Sequence, residues 1–395
     1  MKKIKLIIQG LGNWAKLFLD LTNIEKVNNL FTIAAIISRD KTHFRNRIEK
    51  YYPSYPLLKS VKIYDSLKKG VSEIKPDAIY IATPDFAHID SLYDILNSKI
   101  PSTPHLLIEK PLNSDIKNCL KALKLFGYKH LSYGNMIPKN DSPFIMIGWH
   151  KKFSLQNIYF IQNYLKNDNG DLKSIRVSIL DQKRVFSNSY INWANKTELF
   201  SFLGGHFFDI IYDSFKNSFP VSITSNANYE NNTMVEANVC LGLSTLKSNE
   251  VVPVNLTISC NEPNNSYAMT EQNITYIFRK NRITIDTTGK DFELIDDQGI
   301  HLTNVHGKGL VKDPWDKSDC QFGYTYQPQL RWLKTVFDLV NNNIKLEEAV
   351  RQYPLSVLTE FTINACLESL KLGSKYGNLV FGKNMKLNAN KITIL

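Results

Sequence analysis

Three short stretches hold residues whose types and order can do chemistry. "GLGNWA", residues 10–15, sets two glycines at the end of an apolar run. "IEKPL", residues 108–112, holds Lys110 between an acid and a proline, directly after another apolar run. "FLGGHFFDII", residues 202–211, sets His206 behind two glycines and three residues ahead of Asp209. A lysine withdrawn from water can relay a proton or stabilise a developing alkoxide. A histidine titrates near neutrality and can act as acid or base. Taken alone, each stretch also has a plain structural reading: a turn, a surface lysine, a satisfied core histidine.

Context separates these readings first at the glycines. "KIKLIIQG" reads as a buried strand, and "NWAKLFLDLTNIEKV" carries apolar residues at helical spacing. Gly10 permits a tight turn, Gly12 lets a pyrophosphate approach the backbone, and Ala15 lets the helix pack close to the strand. The phosphates are expected on the helix N-terminus, at Gly10, Gly12, Asn13 and Trp14. The end of the next strand, "IISRD", chooses between dinucleotides. The hydroxyl of Ser38 and the guanidinium of Arg39 suit the 2′-phosphate of NADP, while Asp40 keeps NAD open.

The elements that must position these residues follow from periodicity. Through the first half, "FTIAAIIS", "DAIYIAT", "HLLIE" and "FIMIGW" read as strands apolar on both faces, separated by helical patterns. That alternation predicts a Rossmann-type, doubly wound parallel sheet. Past residue 150 the pattern becomes consecutive strands with polar alternation, such as "SIRVSIL", "VVPVNLTISC" and "RITIDTT". Helices return at "YQPQLRWLKTVFDLVNNN" and "LSVLTEFTINACLESLKLGSK". The expected class is α/β: a dinucleotide domain over residues 1–148, then an α+β domain over 149–395 built on a largely antiparallel sheet.

Composition narrows the partners. The 395 residues carry 48 basic and 37 acidic side chains, a net charge of +11. The lysines are scattered, so a solvated surface or an anionic small molecule explains the charge better than nucleic acid. The five cysteines are far apart and form no CxxC pair, which points to a reducing, cytoplasmic setting without a metal site. The apolar N-terminal run is too short for a signal peptide, and no run is long enough to cross a membrane.

"IATPDFAH", residues 81–88, completes a set with "GLGNWA", "EKP" and "GGHFFD". Together they resemble the glucose–fructose oxidoreductase and inositol dehydrogenase (Gfo/Idh/MocA) family, in an order that spans the chain. The resemblance implies hydride transfer between NAD(P) and an alcohol or carbonyl of a sugar or sugar nucleotide. It implies that Lys110 reaches the substrate hydroxyl, that His206 is an acid/base, and that Thr83, Pro84 and Glu109 lie against the cofactor. His88 reads equally as a helix-packing histidine. In "GWHKKF", His150 and Lys152 are candidate substrate contacts, as is Asp209, which with Asp213 shares a helical face with His206. The two glycines before His206 suggest room for a ring, and a helix start would favour neutral imidazole. One residue departs from the pattern: Phe202 stands where an aspartate is expected. That leaves two alternatives open, a tightly bound recycling cofactor and a non-catalytic scaffold or regulator. The resemblance also implies that the antiparallel sheet forms the interface of a homodimer or homotetramer.

Overall fold

The computed structural model describes the chain except residues 39–53, 56, 57, 59, 114, 132, 133, 166–168, 184–197, 217, 246–249, 265–269, 288–290, 305–325, 372–378 and 381–395. The chain forms two compact units. The first comprises Met1–Leu131, Asn135–Gly148 and Tyr326–Val357; the second comprises Ser132–Gly134, Trp149–Thr325 and Leu358–Leu395. Residues 326–357, expected in the C-terminal domain, therefore belong to the first unit.

The first unit is the α/β part. Strand β1 (Ile4–Gln9) leads into helix α1 (Asn13–Leu21), then α2 (Glu25–Asn28), β2 (Phe31–Ile37), β3 (Lys62–Tyr64), α3 (Leu67–Ile74) and β4 (Ala78–Ile81). Helix α4 (His88–Leu96), β5 (His105–Ile108), α5 (Ile116–Leu125), β6 (Tyr128–His130), β7 (Asn135–Pro138) and β8 (Ile145–Ile147) follow. Six strands form one parallel sheet in the order β3-β2-β1-β4-β5-β8. The order reverses between β1 and β4, and a ligand crevice opens outside the carboxyl ends of strands at such a switch point. Both β1 and β4 are buried almost throughout, which is why they read as continuous apolar runs. The short β3 and the β6–β7 hairpin carry too few residues to show periodicity and were not expected.

The second unit begins with α6 (Leu155–Asn163), β9 (Leu172–Gln182) and α7 (Gly205–Ser214). Seven strands follow: β10 (Phe219–Glu230), β11 (Thr233–Ser244), β12 (Val251–Glu262), β13 (Thr270–Phe278), β14 (Arg282–Asp286), β15 (Asp291–Asp296) and β16 (Gly299–Asn304). The chain then enters α8 (Gln327–Val340), α9 (Leu346–Gln352), β17 (Leu355–Ser356), α10 (Leu358–Lys371) and β18 (Leu379–Val380). The large sheet has the order β16-β15-β14-β13-β9-β12-β11-β10-β18. Every pair in it is antiparallel except β9 with β12. Helices α7 and α10 pack together, and α10 lies on β10. On β12 side chains alternate between exposed and buried, as a sheet with one wet face requires.

Helix α8 is the element that joins a distant stretch of sequence to the parallel sheet. It packs on β1 and β5. Trp332 is fully buried there, with its indole edge-on to Phe18 of α1 at 6.2 Å between ring centres. No helix among the described residues is long and apolar enough to cross a membrane. Trp332→Ala removes the largest buried side chain of this contact and is expected to cost about 3–5 kcal/mol, read as a shift in urea unfolding.

Candidate functional site

In the first unit the glycine loop is built as a cradle. Gly10 has φ +90°, and a Cβ there would sit 2.9 Å from the carbonyl oxygen of Ala82. Among the described residues nothing lies within 4 Å of where a Cβ on Gly12 would be, so their packing leaves this backbone open to a ligand. Gly12 caps α1 with no side-chain hydrogen bond, and the N-terminus of a nine-residue helix is where backbone N–H groups would meet an anion. Ala15 is fully buried. Asn13 and Trp14 begin α1. Ser38 follows β2, its N–H donating to the Tyr64 carbonyl at 2.9 Å. Arg39 and Asp40 lie outside the described residues. Two buried oxygens near these strand ends, Gln9 Oε1 and Thr83 Oγ1, have no hydrogen-bond partner among the described residues. An uncapped helix, an open glycine and spare acceptors fit a pyrophosphate and a polar ring.

Lys110 lies just past β5, in a turn linked to the β4 exit. The Glu109 N–H donates to the Ile81 carbonyl at 2.9 Å, and the Lys110–Pro111 peptide is cis. Strand β5 stops at Ile108, so Glu109, Lys110 and Pro111 all stand beyond its end. Glu109 is buried and accepts a short hydrogen bond from the Tyr80 hydroxyl. A Cβ on Gly148 would lie 3.3 Å from both Glu109 carboxylate oxygens, so glycine there lets the carboxylate in. Burial pushes the Glu109 carboxyl up to about 7, against the opposing pull of the Tyr80 hydrogen bond and the Lys110 charge. Burial likewise draws Lys110 down to about 8, with Glu109 and Asp85 pulling the other way. The two shifts bring the carboxyl and the ammonium close in proton affinity near neutral pH.

His88 opens α4 and is fully buried. Its Nδ1 faces the Pro111 carbonyl at 2.9 Å and its Nε2 the Thr83 carbonyl at 2.8 Å. The ring thereby ties the "ATP" loop to the "EKP" turn. Pro84 precedes the short helix Asp85–Ala87, and the Asn113 amide donates to the Asp85 carbonyl at 3.3 Å, a second tie between the same loops.

In the second unit His206 is buried and ringed by aromatics. The Trp149 indole stands edge-on to it at 5.2 Å and the His150 ring at 4.2 Å. Two expectations fail here. The space beside the glycines is occupied by protein: a Cβ on Gly205 would lie 2.3 Å from the Trp149 ring, and one on Gly204 would lie 3.2 Å from Ile258. Nor does His206 open a helix, because a π-helical turn over Phe200–Gly204 runs straight into α7 and occupies the N–H groups that would act on it. Asp209, on the same helix, accepts from Lys152 Nζ at 3.2 Å, while its Oδ2 has no partner among the described residues. Burial, with Asp213 adding to it, lifts the Asp209 carboxyl to about 6 despite Lys152. Burial pulls the Lys152 ammonium down, but Asp209, Asp213 and Glu360 outweigh it and the net shift is upward. Phe202 is half-buried.

A polar network beneath this cluster was missed in the sequence. Lys151 Nζ donates to Thr287 Oγ1 at 3.3 Å, and that hydroxyl donates to the Gln272 carbonyl at 3.0 Å. The Gln272 amide donates to Asp181 Oδ1 at 3.3 Å, and Thr270 donates to the same oxygen. The period-2 burial of Ile175, Val177 and Ile179 continues to Asp181, so an acid on the inward face was the available signal. Glu360, which accepts from the Trp149 indole at 3.2 Å, had no such signal. Among the described residues no group of three or more side chains is placed to hold a metal ion.

Residues 4–134 match the family model described as "Oxidoreductase family, NAD-binding Rossmann fold", GFO_IDH_MocA. No curated protein matches the chain. Solved structures do share the fold. The inositol dehydrogenase homologue of Azotobacter vinelandii, complexed with NADH and myo-inositol, is 10% identical with a TM-score of 0.72, covering 94% of this chain and 96% of its own. UDP-N-acetylglucosamine 3-dehydrogenase of Acidithiobacillus ferrooxidans is 12% identical with a TM-score of 0.65, covering 95% and 99%. A super-repressor mutant of Gal80p from Saccharomyces cerevisiae is 14% identical with a TM-score of 0.69, covering 96% and 98%. The glycine cradle on a 3-2-1-4-5-8 parallel sheet and the match over residues 4–134 agree: those residues are similar to the NAD-binding Rossmann domain of the Gfo/Idh/MocA oxidoreductases.

Proposed function

We propose that the chain moves a hydride between a nicotinamide dinucleotide and an alcohol or carbonyl carbon of a sugar, cyclitol or sugar nucleotide. The observation that carries this reading is Lys110, drawn down to about 8 beside a buried carboxyl at the carboxyl edge of the parallel sheet. When bound, the dinucleotide supplies the hydride acceptor or donor. The residues of the chain do the rest. Gly10, Gly12, Asn13 and Trp14 would hold the pyrophosphate on α1, and Thr83 and Pro84 would lie over the ring. Lys110 Nζ takes the hydroxyl proton during oxidation and returns it during reduction, while Glu109 balances the ammonium. In the second unit His206 is the candidate acid/base, and His150, Lys152 and Asp209 are the candidate substrate contacts. The named substrates of the structural neighbours, myo-inositol and a UDP-sugar, support the polyhydroxylated class. The wide sheet of the second unit is the surface proposed for self-association.

For the dinucleotide, the family description and the neighbour's NADH both favour NAD. The sole argument for NADP is the Ser38–Arg39 sequence. A second reading, a regulator that binds dinucleotide without turnover, draws on Phe202 and on the likeness to Gal80p.

A panel of cyclitols, sugars and sugar nucleotides is expected to change NAD(P)H absorbance in the presence of the purified protein. Lys110→Met should lower that rate at least about 100-fold, and binding without turnover across the panel would favour the regulator. Oxidation should rise with pH through about 8 and level off above it, because the base form of Lys110 is then filled. Fluorescence titration with both dinucleotides decides between them; tighter binding of NAD retires the reading of Ser38 and Arg39. Stability carries its own pH mark. The folded Glu109 carboxyl titrates near 7 against an ordinary 4.5, so the folded state holds the extra proton and its stability falls as pH rises between those values. Glu109→Gln should remove that fall and gain stability over the native chain at pH 8 compared with pH 4, measured by urea unfolding.

A further inference from the structure

The Glu109–Lys110–Pro111 turn is held from both sides by side chains that stand outside it. On one side the Tyr80 hydroxyl donates to Glu109 Oε1 and is itself hydrogen-bonded by Gln329 of α8. Tyr80, Glu109 and Gln329 are all buried, and the Tyr80 ring lies tilted on Phe18 at 4.6 Å. On the other side His88 faces the carbonyl of Pro111 through one ring nitrogen and the carbonyl of Thr83 through the other. Lys110 is the residue between these two anchors.

The two anchors are chemically different. A phenol beside a carboxylate is a single strong donor in a buried site, so it favours the ionised form of Glu109. That in turn supports the neighbouring ammonium. The imidazole faces two acceptors; as a neutral ring it donates to one, and as a cation to both. Asp85, Lys110 and Glu109 are the charged groups around this turn, and Asp85 interacts with both His88 and Lys110. His88 is thus placed to hold the two loops that flank Lys110 at a set separation.

We infer that Tyr80 and His88 are positioning residues for Lys110, clamping the Glu109–Lys110–Pro111 turn at its two ends, with Gln329 holding Tyr80 in place. The inference rests on the reading of Lys110 as the proton carrier, but it is testable without substrate. The test is pulse acetylation of the purified full-length protein with trace acetic anhydride from pH 6 to 11. Mass spectrometry then reads the labelling midpoint of Lys110 against that of surface lysines in the same sample.

In the native chain Lys110 should label with a midpoint well below the surface lysines. Tyr80→Phe keeps the ring and removes the donor. Glu109 then protonates more readily and supports the ammonium less, so the Lys110 midpoint should move down by roughly half a pH unit. That corresponds to about threefold faster labelling below the midpoint. His88→Phe fills the space but frees both carbonyls; water should reach the turn and the midpoint should move up toward the surface lysines. His88→Gln keeps a donor for one carbonyl and should restore part of the native value. Opposite shifts from the two variants are a signature that general loosening does not produce. Unchanged Lys110 midpoints in Tyr80→Phe and His88→Phe, with native melting temperatures, would overturn the clamp, as would shifts of the same sign and size. If His88→Phe does not fold, a Tyr80→Phe midpoint that stays put or moves upward is enough to overturn it. Clamped labelling in a protein that turns over no sugar would sink the proposed activity and leave the clamp standing.

Discussion

Withdrawal of Glu109 and Lys110 from water is the constraint on which the first unit depends. In solution an acid and an ammonium differ by about six pKa units. Burial raises the one to about 7 and lowers the other to about 8. A lysine drawn down to about 8 is available as the base form near neutral pH, which is what accepting a hydroxyl proton needs. The same burial is expensive, since each group leaves water. The surroundings offset it in particular ways: Gly148 lacks the Cβ that would crowd the carboxylate, Tyr80 donates to it, and β4 carries the partner that holds the turn.

Helix α8 shows how far in sequence those supports are drawn. It lies some two hundred residues beyond β5 in the chain, yet it packs on β1 and β5 and brings Gln329 to Tyr80. Its alternation of buried positions gives a plain amphipathic helix. Nothing local in such a pattern says which of two cores it will join. Burial of Trp332 against Phe18 answers that, because the largest apolar surface on the helix finds its complement on α1.

The second unit reverses the usual meaning of a glycine pair. Gly204 and Gly205 do not open a cavity; they let α7 approach β12 and the Trp149 indole. The indole is then fixed by Glu360 and stands against His206. His206 sits inside a continuous helix, so its environment is set by the neighbouring rings and not by a helix end. Lys152 donates to one oxygen of Asp209, which turns two separate substrate candidates into one ion pair.

Local pattern was enough for the parts whose physics is local. A strand apolar on both faces, a glycine turn and an amphipathic helix each need only neighbouring residues, so the parallel sheet, the cradle at Gly10 and Gly12, and the antiparallel sheet were legible. Lys110 was legible because its three-residue setting directly follows a buried strand. What the tertiary structure alone decided are the side chains that meet across long separations: His88 between two carbonyls, Tyr80 and Gln329 on Glu109, Asp209 on Lys152, and Trp149 in the space beside Gly205. Hydrogen bonds and ring contacts reach only a few ångströms. Which groups come that close is fixed by how elements pack, and packing is a property of the whole core that no short window of sequence contains.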